Sequence, residues 1–194
     1  MKYQKRLRDE VERVLPEWKR QFICYKGLKK QLKLINPRSS RDRRMGGDRP
    51  GFATGRFLAV NNNIRERIGF TRLLHSELNK VNAFYFDKEE DYVIRLKEMQ
   101  LRAGNLDRNE EKLQVQRDIL NLHAEMVLLL HYSVLNFTGL VKIVKKHNKR
   151  TGTSFQFSSM PRVMQRPFFS TDLLYELMRQ CETMLDGLFL SKQP

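Results

Sequence analysis

Cysteine is nearly absent from this chain. Only Cys24 and Cys181 occur, far apart and in no CxxC spacing, which excludes a disulfide framework and a cysteine zinc site and fits a reducing compartment, nuclear or cytoplasmic. Long apolar runs are missing as well. No stretch approaches the roughly 18–20 residues that a bilayer span needs, so no membrane span is expected, and the opening MKYQKRLRDEVERV is charged throughout, without a secretory apolar region. Acids are scarce: 22 Asp and Glu stand against 37 Lys and Arg, a formal charge of +15 with a pI near 10.1. Neither 18–41 nor 126–171 contains a single acid. Such an imbalance calls for an anionic partner. The motifs of catalysis are also lacking. GxxxxGK[ST], GxGxxG, GxSxG and HExxH do not occur, so nucleotide-loop, hydrolase and zinc-protease chemistry have no support. His75, His123, His131 and His147 show no paired-ligand spacing, and no metal site is expected. Glu89-Glu90-Asp91 reads as a solvated face, because consecutive helix residues point in different directions. The chain reads as non-enzymatic.

What is present is helical periodicity. Tyr3, Leu7, Val11 and Val14 share one side of a helix over 2–14, which Pro16 ends. A second helix is expected from Glu17 to about Ile35, stopped by Asn36-Pro37, and the two can close as a hairpin. Residues 37–63, with two prolines, four glycines and an arginine cluster, read as a flexible linker. Two long antiparallel helices follow over 64–150. Leu74, Leu78, Val81, Tyr85, Tyr92, Leu96 and Met99 mark the first, and RAGNLDRN is the turn. Ile119, Leu122, Met126, Leu129, Ser133, Phe137, Leu140 and Val144 mark the second. In 151–194, MPRVMQRP offers at most a short helix. Ser170 or Thr171 caps a last helix striped by Leu174, Leu177, Cys181, Leu185 and Leu188. No period-two alternation is sustained, so the expected class is all-α: an N-terminal helical hairpin on two long helices, a three-helix-bundle-like core, and small C-terminal helices.

Two lysine stripes carry the charge. Lys26, Lys29, Lys30 and Lys33 stand at i, i+3, i+4, i+7, and Lys142, Lys145, Lys146 and Lys149 repeat the spacing. Each set occupies one helical face with no acid on it. Like charges at i, i+4 cost roughly 0.2–0.5 kcal/mol in an isolated helix. One such stripe is ordinarily a solvated face, but two that both avoid acids have the pattern of an anion site. Tyr25, one turn before Lys29, is either an interface tyrosine or a phenol placed to donate to a phosphate oxygen. Arg41, Arg43 and Arg44 leave open a nucleic-acid contact, a nuclear address or a merely solvated loop.

The segments MKYQKRL, LPEWKRQFICYKGLKKQLKLI, ELNKVNAFYFDKEEDYVIRLKEM and GLVKIVKKHNKRTG, in this order, resemble the SPX domain, and the likeness covers nearly the whole chain outside 37–63. With no further module following, the chain is similar to stand-alone plant members. The resemblance implies an all-helical domain whose basic surface binds inositol pyrophosphates or inositol hexakisphosphate. By motif, Tyr25, Lys29 and Lys142 match the family's phosphate-binding cluster, Lys145, Lys146 and Lys149 match its lysine surface cluster, and Lys2 matches a contributing N-terminal lysine. Lys26, Lys30 and Lys33 are possible additions. It further implies a phosphate-starvation sensor that, once loaded, binds a MYB coiled-coil transcription factor and keeps it off DNA. Three departures stand out: Gln4 where glycine is common, Asn148 in place of an acid, and a basic linker. The competing readings are a nucleic-acid-binding helical module, favoured by the charge of +15, and a regulatory subunit of a polyphosphate or phosphate-transport complex.

Overall fold

The structure, a computed structural model, describes residues 2–36, 52–104, 109–153 and 167–190. In chain order these form α1 (Lys2–Val14), α2 (Tyr25–Leu34), α3 (Phe52–Ala103), α4 (Asn109–Thr151), a single 3₁₀ turn at Pro167–Phe169, and α5 (Asp172–Leu190). The fold is all-α, with no strand among the described residues.

Helices α3 and α4 run antiparallel in one continuous register. Phe70 stacks on His147 at 4.8 Å, the Tyr92 hydroxyl donates to the Glu125 carbonyl, and Arg102 meets Asp118 at 2.9 Å. The apolar positions expected from periodicity are those that fill the seam: Leu74, Leu78, Val81, Tyr85, Tyr92 and Leu96 against Ile119, Leu122, Met126, Leu129, Leu140 and Val144, all buried. Helix α5 completes the bundle by burying Leu174, Leu177, Cys181 and Leu188. Thr171 supplies the carbonyl that accepts the first bond of α5, from Tyr175 N–H at 3.0 Å, the role of an N-cap backbone. At the other end of α4, Gly152 has φ 64° and its N–H returns to the Asn148 carbonyl at 2.9 Å. This is the left-handed cap that a residue with Cβ adopts only at a cost.

The structure departs from the periodicity in five places. The second helix begins at Tyr25 rather than Glu17. Trp18 and Phe22 pull 16–24 into turns by packing edge-on against Tyr132, with ring centroids at 6.0 and 4.7 Å, and this burial outweighs local helix propensity. Second, 52–63 belongs to α3, not to a linker. Extending a helix already nucleated costs far less than starting one, so glycine-containing chain is carried along; residues 37–51 lie outside the described residues. Third, Asn136 rather than Phe137 faces the core on α4: Asn136 is buried while Phe137 is 42% exposed. Fourth, Glu89 is buried within α3 instead of solvated. Fifth, against the expectation that no apolar run approaches the length of a span, α4 contains a stretch long and apolar enough for a bilayer by length and composition. Of that stretch 44% is buried within the bundle, so the core accounts for part of its apolarity.

Candidate functional site

Helix α2 is held at both ends, and both ends are held by α4. Before its first turn, the Ile23 N–H donates to Asn136 Oδ1 at 2.8 Å, and the Tyr132 hydroxyl donates to the Gln21 carbonyl at 2.9 Å. The next N–H, of Cys24, goes to the Glu77 carboxylate of α3 at 2.8 Å, which also takes Lys80 at 2.6 Å. That carboxylate sits at the positive end of α2, where it is favoured. Past the last turn, Arg150 donates through Nε to the Ile35 carbonyl at 2.5 Å and through its terminal nitrogen to the Lys33 carbonyl at 2.8 Å. A cation thereby closes the negative end of α2. Between these clamps α2 runs in the same direction as residues 136–150 of α4, with Lys29 level with Ile143 and Val144 and so within one turn of both Lys142 and Lys146.

The faces follow from the same contacts. Counting about 100° per residue around α4, Lys146 lies about 60° from the line toward α2, Lys142 about 100°, Lys149 about 120° and Lys145 about 160°. All four turn away from His147, which faces α3. Counting likewise around α2 from the buried Tyr25, Lys29 lies about 40° round, Lys33 about 80°, Lys26 about 100° and Lys30 about 140°. This is the flank opposite Gln31, whose amide bonds Glu66 of α3 at 2.8 Å. The fold therefore brings Lys29, Lys142 and Lys146 onto one outer face astride the α2–α4 seam. Lys33 and Lys149 stand at its margin, and Lys145, Lys26 and Lys30 turn furthest from the seam.

Exposure singles out Lys29 alone. Lys29 is half-buried, and Lys26, Lys30, Lys33, Lys142, Lys145, Lys146 and Lys149 are exposed. Tyr25 is buried, and that burial pushes its phenol up from its ordinary value, so it stays a hydroxyl able to donate. Two acids that bond α2 or its start, Glu66 and Glu77, belong to α3 and are engaged on that side. Lys2 belongs to α1, and its side chain lies outside the described residues. A cleft of about 640 Å³ separates α1 from the start of α2, with Leu7, Val11, Phe22 and Ile23 as its floor and Lys5, Arg8, Lys19 and Lys26 at its rim. The N-terminal half of α1 and the first turn of α2 thus face each other across this cleft.

The remaining titratable candidates are structural. His123 pairs with Glu182 at 3.2 Å and His131 with Glu10 at 3.6 Å. His147 is held below its ordinary value by burial. No group of metal-binding side chains occurs among the described residues. Cys24 is exposed and Cys181 buried, both free thiols.

A model of the SPX domain matches residues 98–163. Along its entire length the chain is 43% identical to SPX domain-containing protein 2 of Arabidopsis thaliana, covering 68% of that protein. It is 45% identical to SPX domain-containing protein 1 of Oryza sativa subsp. indica, covering 67% of it. The chain belongs to the SPX family. Among solved structures, the SPX domain of Chaetomium thermophilum glycerophosphodiester phosphodiesterase 1, in complex with inositol hexakisphosphate, superposes with a TM-score of 0.73 at 25% identity, over 97% of this chain and 99% of that one. Within this SPX fold, the positioning residues Asn136, Glu77 and Arg150 escaped the sequence reading. A polar residue at 136, in step with the buried Ser133 and Leu140, was the one available signal.

Arg150 gives a direct test of how the lysine face is assembled. Arg150→Met removes both carbonyl bonds and the cation at the end of α2, and is expected to cost about 1–2 kcal/mol. Thermal unfolding followed by circular dichroism should show a midpoint lower by several degrees with helical content kept. An unchanged midpoint would mean that α2 is anchored without it.

Proposed function

We propose that this chain is a non-enzymatic sensor that binds an inositol polyphosphate, with highest affinity for a pyrophosphorylated form, on the face formed by α2 and the end of α4. The observation that carries this reading is the co-directional clamping of α2 beside residues 136–150 of α4, which sets Lys29 across the seam from Lys142 and Lys146 with no acid in either segment. Each phosphate brings roughly −1.5 to −2 charges near neutral pH, and a ring carrying several can bridge ammonium groups on both helices at once. Lys145 and Lys149 of α4, the N-terminal Lys2 and the Tyr25 hydroxyl complete the proposed contacts. Membership of the SPX family and the hexakisphosphate complex of the similar fungal domain support the ligand class.

The finer reading is that the loaded surface captures a MYB coiled-coil transcription factor and so restrains it, in the nucleus or cytoplasm. Ligand and factor would then favour each other's binding, since coupling between two sites is reciprocal. Calorimetric titration at fixed ionic strength tests both steps. Affinity should rise from inorganic phosphate through inositol hexakisphosphate to a pyrophosphorylated inositol, and a MYB coiled-coil fragment should bind tightly only when ligand is present. If a DNA duplex of equal charge competes as well as the inositol ligand, with a steep salt slope, the nucleic-acid reading takes its place.

A further inference from the structure

The cleft beside α1 is built unlike the lysine face. Helix α1 meets α4 on one flank, where Glu10 lies 3.6 Å from His131. Counting about 100° per residue around α1 from the buried Leu7, Glu10 stands about 60° to that side, whereas Arg8 and Lys5 stand about 100° and 160° to the other. This second flank borders the cleft of about 640 Å³, and the opposite wall is the segment from Lys19 to Lys26. The backbone of that wall is engaged with other elements. The Gln21 carbonyl accepts from Tyr132, the Ile23 N–H donates to Asn136, and the Cys24 N–H donates to Glu77. What the wall turns to the cleft is therefore side chain, and Phe22 and Ile23 join Leu7 and Val11 in an apolar floor. Water on such a floor finds few partners, so an apolar group that displaces it is favoured.

We infer that this cleft binds a single-chain anionic amphiphile, an unbranched alkyl chain ending in a carboxylate or a phosphate monoester, with the chain along the apolar floor and the acidic head between Lys5 and Lys26. None of the four floor residues belongs to the polyphosphate contacts proposed above.

Volume and charge select the occupant and its direction. The cleft falls within the range of about 300–1,000 Å³ typical of small-molecule sites. Two turns of an α-helix with side chains, about 11 Å long and 10–12 Å across, fill roughly 850–1,200 Å³, more than this cleft holds. At one end the cations are already answered: Lys19 pairs with Glu12 at 2.6 Å, and Arg8 lies 3.6 Å from Asp9. At the other end Lys5, from the N-terminal half of α1, and Lys26, from the first turn of α2, are exposed and form no ion pair among the described residues. Two unanswered cations on facing walls repel each other, and one anion between them turns that repulsion into two charge-assisted hydrogen bonds.

Calorimetric titration of the full chain with monomeric dodecanoate, at fixed ionic strength and without any inositol phosphate, decides the matter. One dodecanoate should bind per chain with Kd on the order of 10 μM. Affinity should fall about tenfold at decanoate and again at octanoate, since two methylenes leave the floor each time. Decan-1-ol, with the same chain and no charge, should bind about tenfold more weakly than decanoate. Val11→Trp, which fills the floor, should abolish binding. Lys5→Glu/Lys26→Glu, at exposed positions outside the core, should weaken dodecanoate about tenfold or more and leave decan-1-ol unchanged. This charge variant serves should Val11→Trp unfold, with circular dichroism reporting the fold of both. Vesicles containing phosphatidic acid distinguish a free amphiphile from a bilayer: whatever charge draws the chain to them should act equally on wild type and Val11→Trp. The proposal is overturned by dodecanoate binding that does not saturate up to about a millimolar, by affinity independent of chain length, by decan-1-ol equal to decanoate, or by a folded Val11→Trp that binds as wild type does. Vesicle binding lost in Val11→Trp, with no dodecanoate binding in wild type, would overturn it too and assign the floor to a membrane surface.

Discussion

Lys29→Ala combined with Lys146→Ala is expected to weaken binding of inositol hexakisphosphate by about a hundredfold or more, with the helical spectrum and unfolding midpoint unchanged. The size follows from the chemistry. A hydrogen bond between an ammonium and a phosphate is worth about 1.5–3 kcal/mol, and the two substitutions take one such group from each side of the seam. The fold is expected to survive, because neither lysine contributes to the core, which consists of Leu28, Leu32, Ile143, Val144 and their neighbours. Each single substitution should give part of the loss. A double-mutant cycle should show coupling, since one rigid ring must reach both helices. Isothermal titration gives the numbers. Unaltered affinity in the double variant would remove the α2–α4 face as the ligand site, and with it the reading of this chain as a sensor that uses that face.

Glu89→Gln is expected to stabilise the protein, and only above mildly acidic pH. Glu89 is 5% exposed, and Glu89 Oε1 has no hydrogen-bond partner among the described residues. Burial pushes its carboxyl up to about 7, and the Tyr85 hydroxyl one turn earlier draws it down less strongly. In the unfolded chain the same group titrates near 4.5. The folded state therefore holds the proton more firmly. Stability from this site is complete below about pH 4.5, declines as pH rises through 7, and stays low above that, where a buried carboxylate persists. The neutral amide escapes this loss, so Glu89→Gln should gain about 2–3 kcal/mol at pH 8, a gain that shrinks toward zero near pH 5. Denaturant unfolding at pH 5, 6, 7 and 8 measures it. A gain of equal size at all four values would show that packing, not ionisation, separates the two side chains. Such a group dilutes what the core contributes at neutral pH, and α3 carries it between Tyr85 and Tyr92, two of the largest fully buried residues.

The helices were legible because helix periodicity is a local property. Leu74 through Met99 and Ile119 through Val144 repeat at three or four residues in any environment, and the buried faces of α3 and α4 follow them closely. The errors fell where a distant residue decides the outcome. Residues 16–24 are helix-compatible on their own, but Trp18 and Phe22 are drawn into an aromatic cluster with Phe84 and Tyr132. The first turns of α3 contain the glycine of a plausible loop, yet they extend a helix whose nucleus lies further along. Glu89 belongs to a run of three acids whose side chains point in different directions, the pattern of a solvated face, and only the packing of α3 in the bundle sets it apart from Glu90, which is exposed.

The lysine face divides in the same way. Sequence by itself determined the all-α class, the segregation of acids from bases, and the two four-lysine stripes, because spacing along a helix fixes which side chains share a side. It could not say whether the two stripes meet. That was decided by Asn136 holding Ile23 and by Arg150 holding Lys33 and Ile35, contacts between residues more than a hundred positions apart. Such contacts depend on how whole helices pack, and no local pattern in either segment encodes the partner it will find.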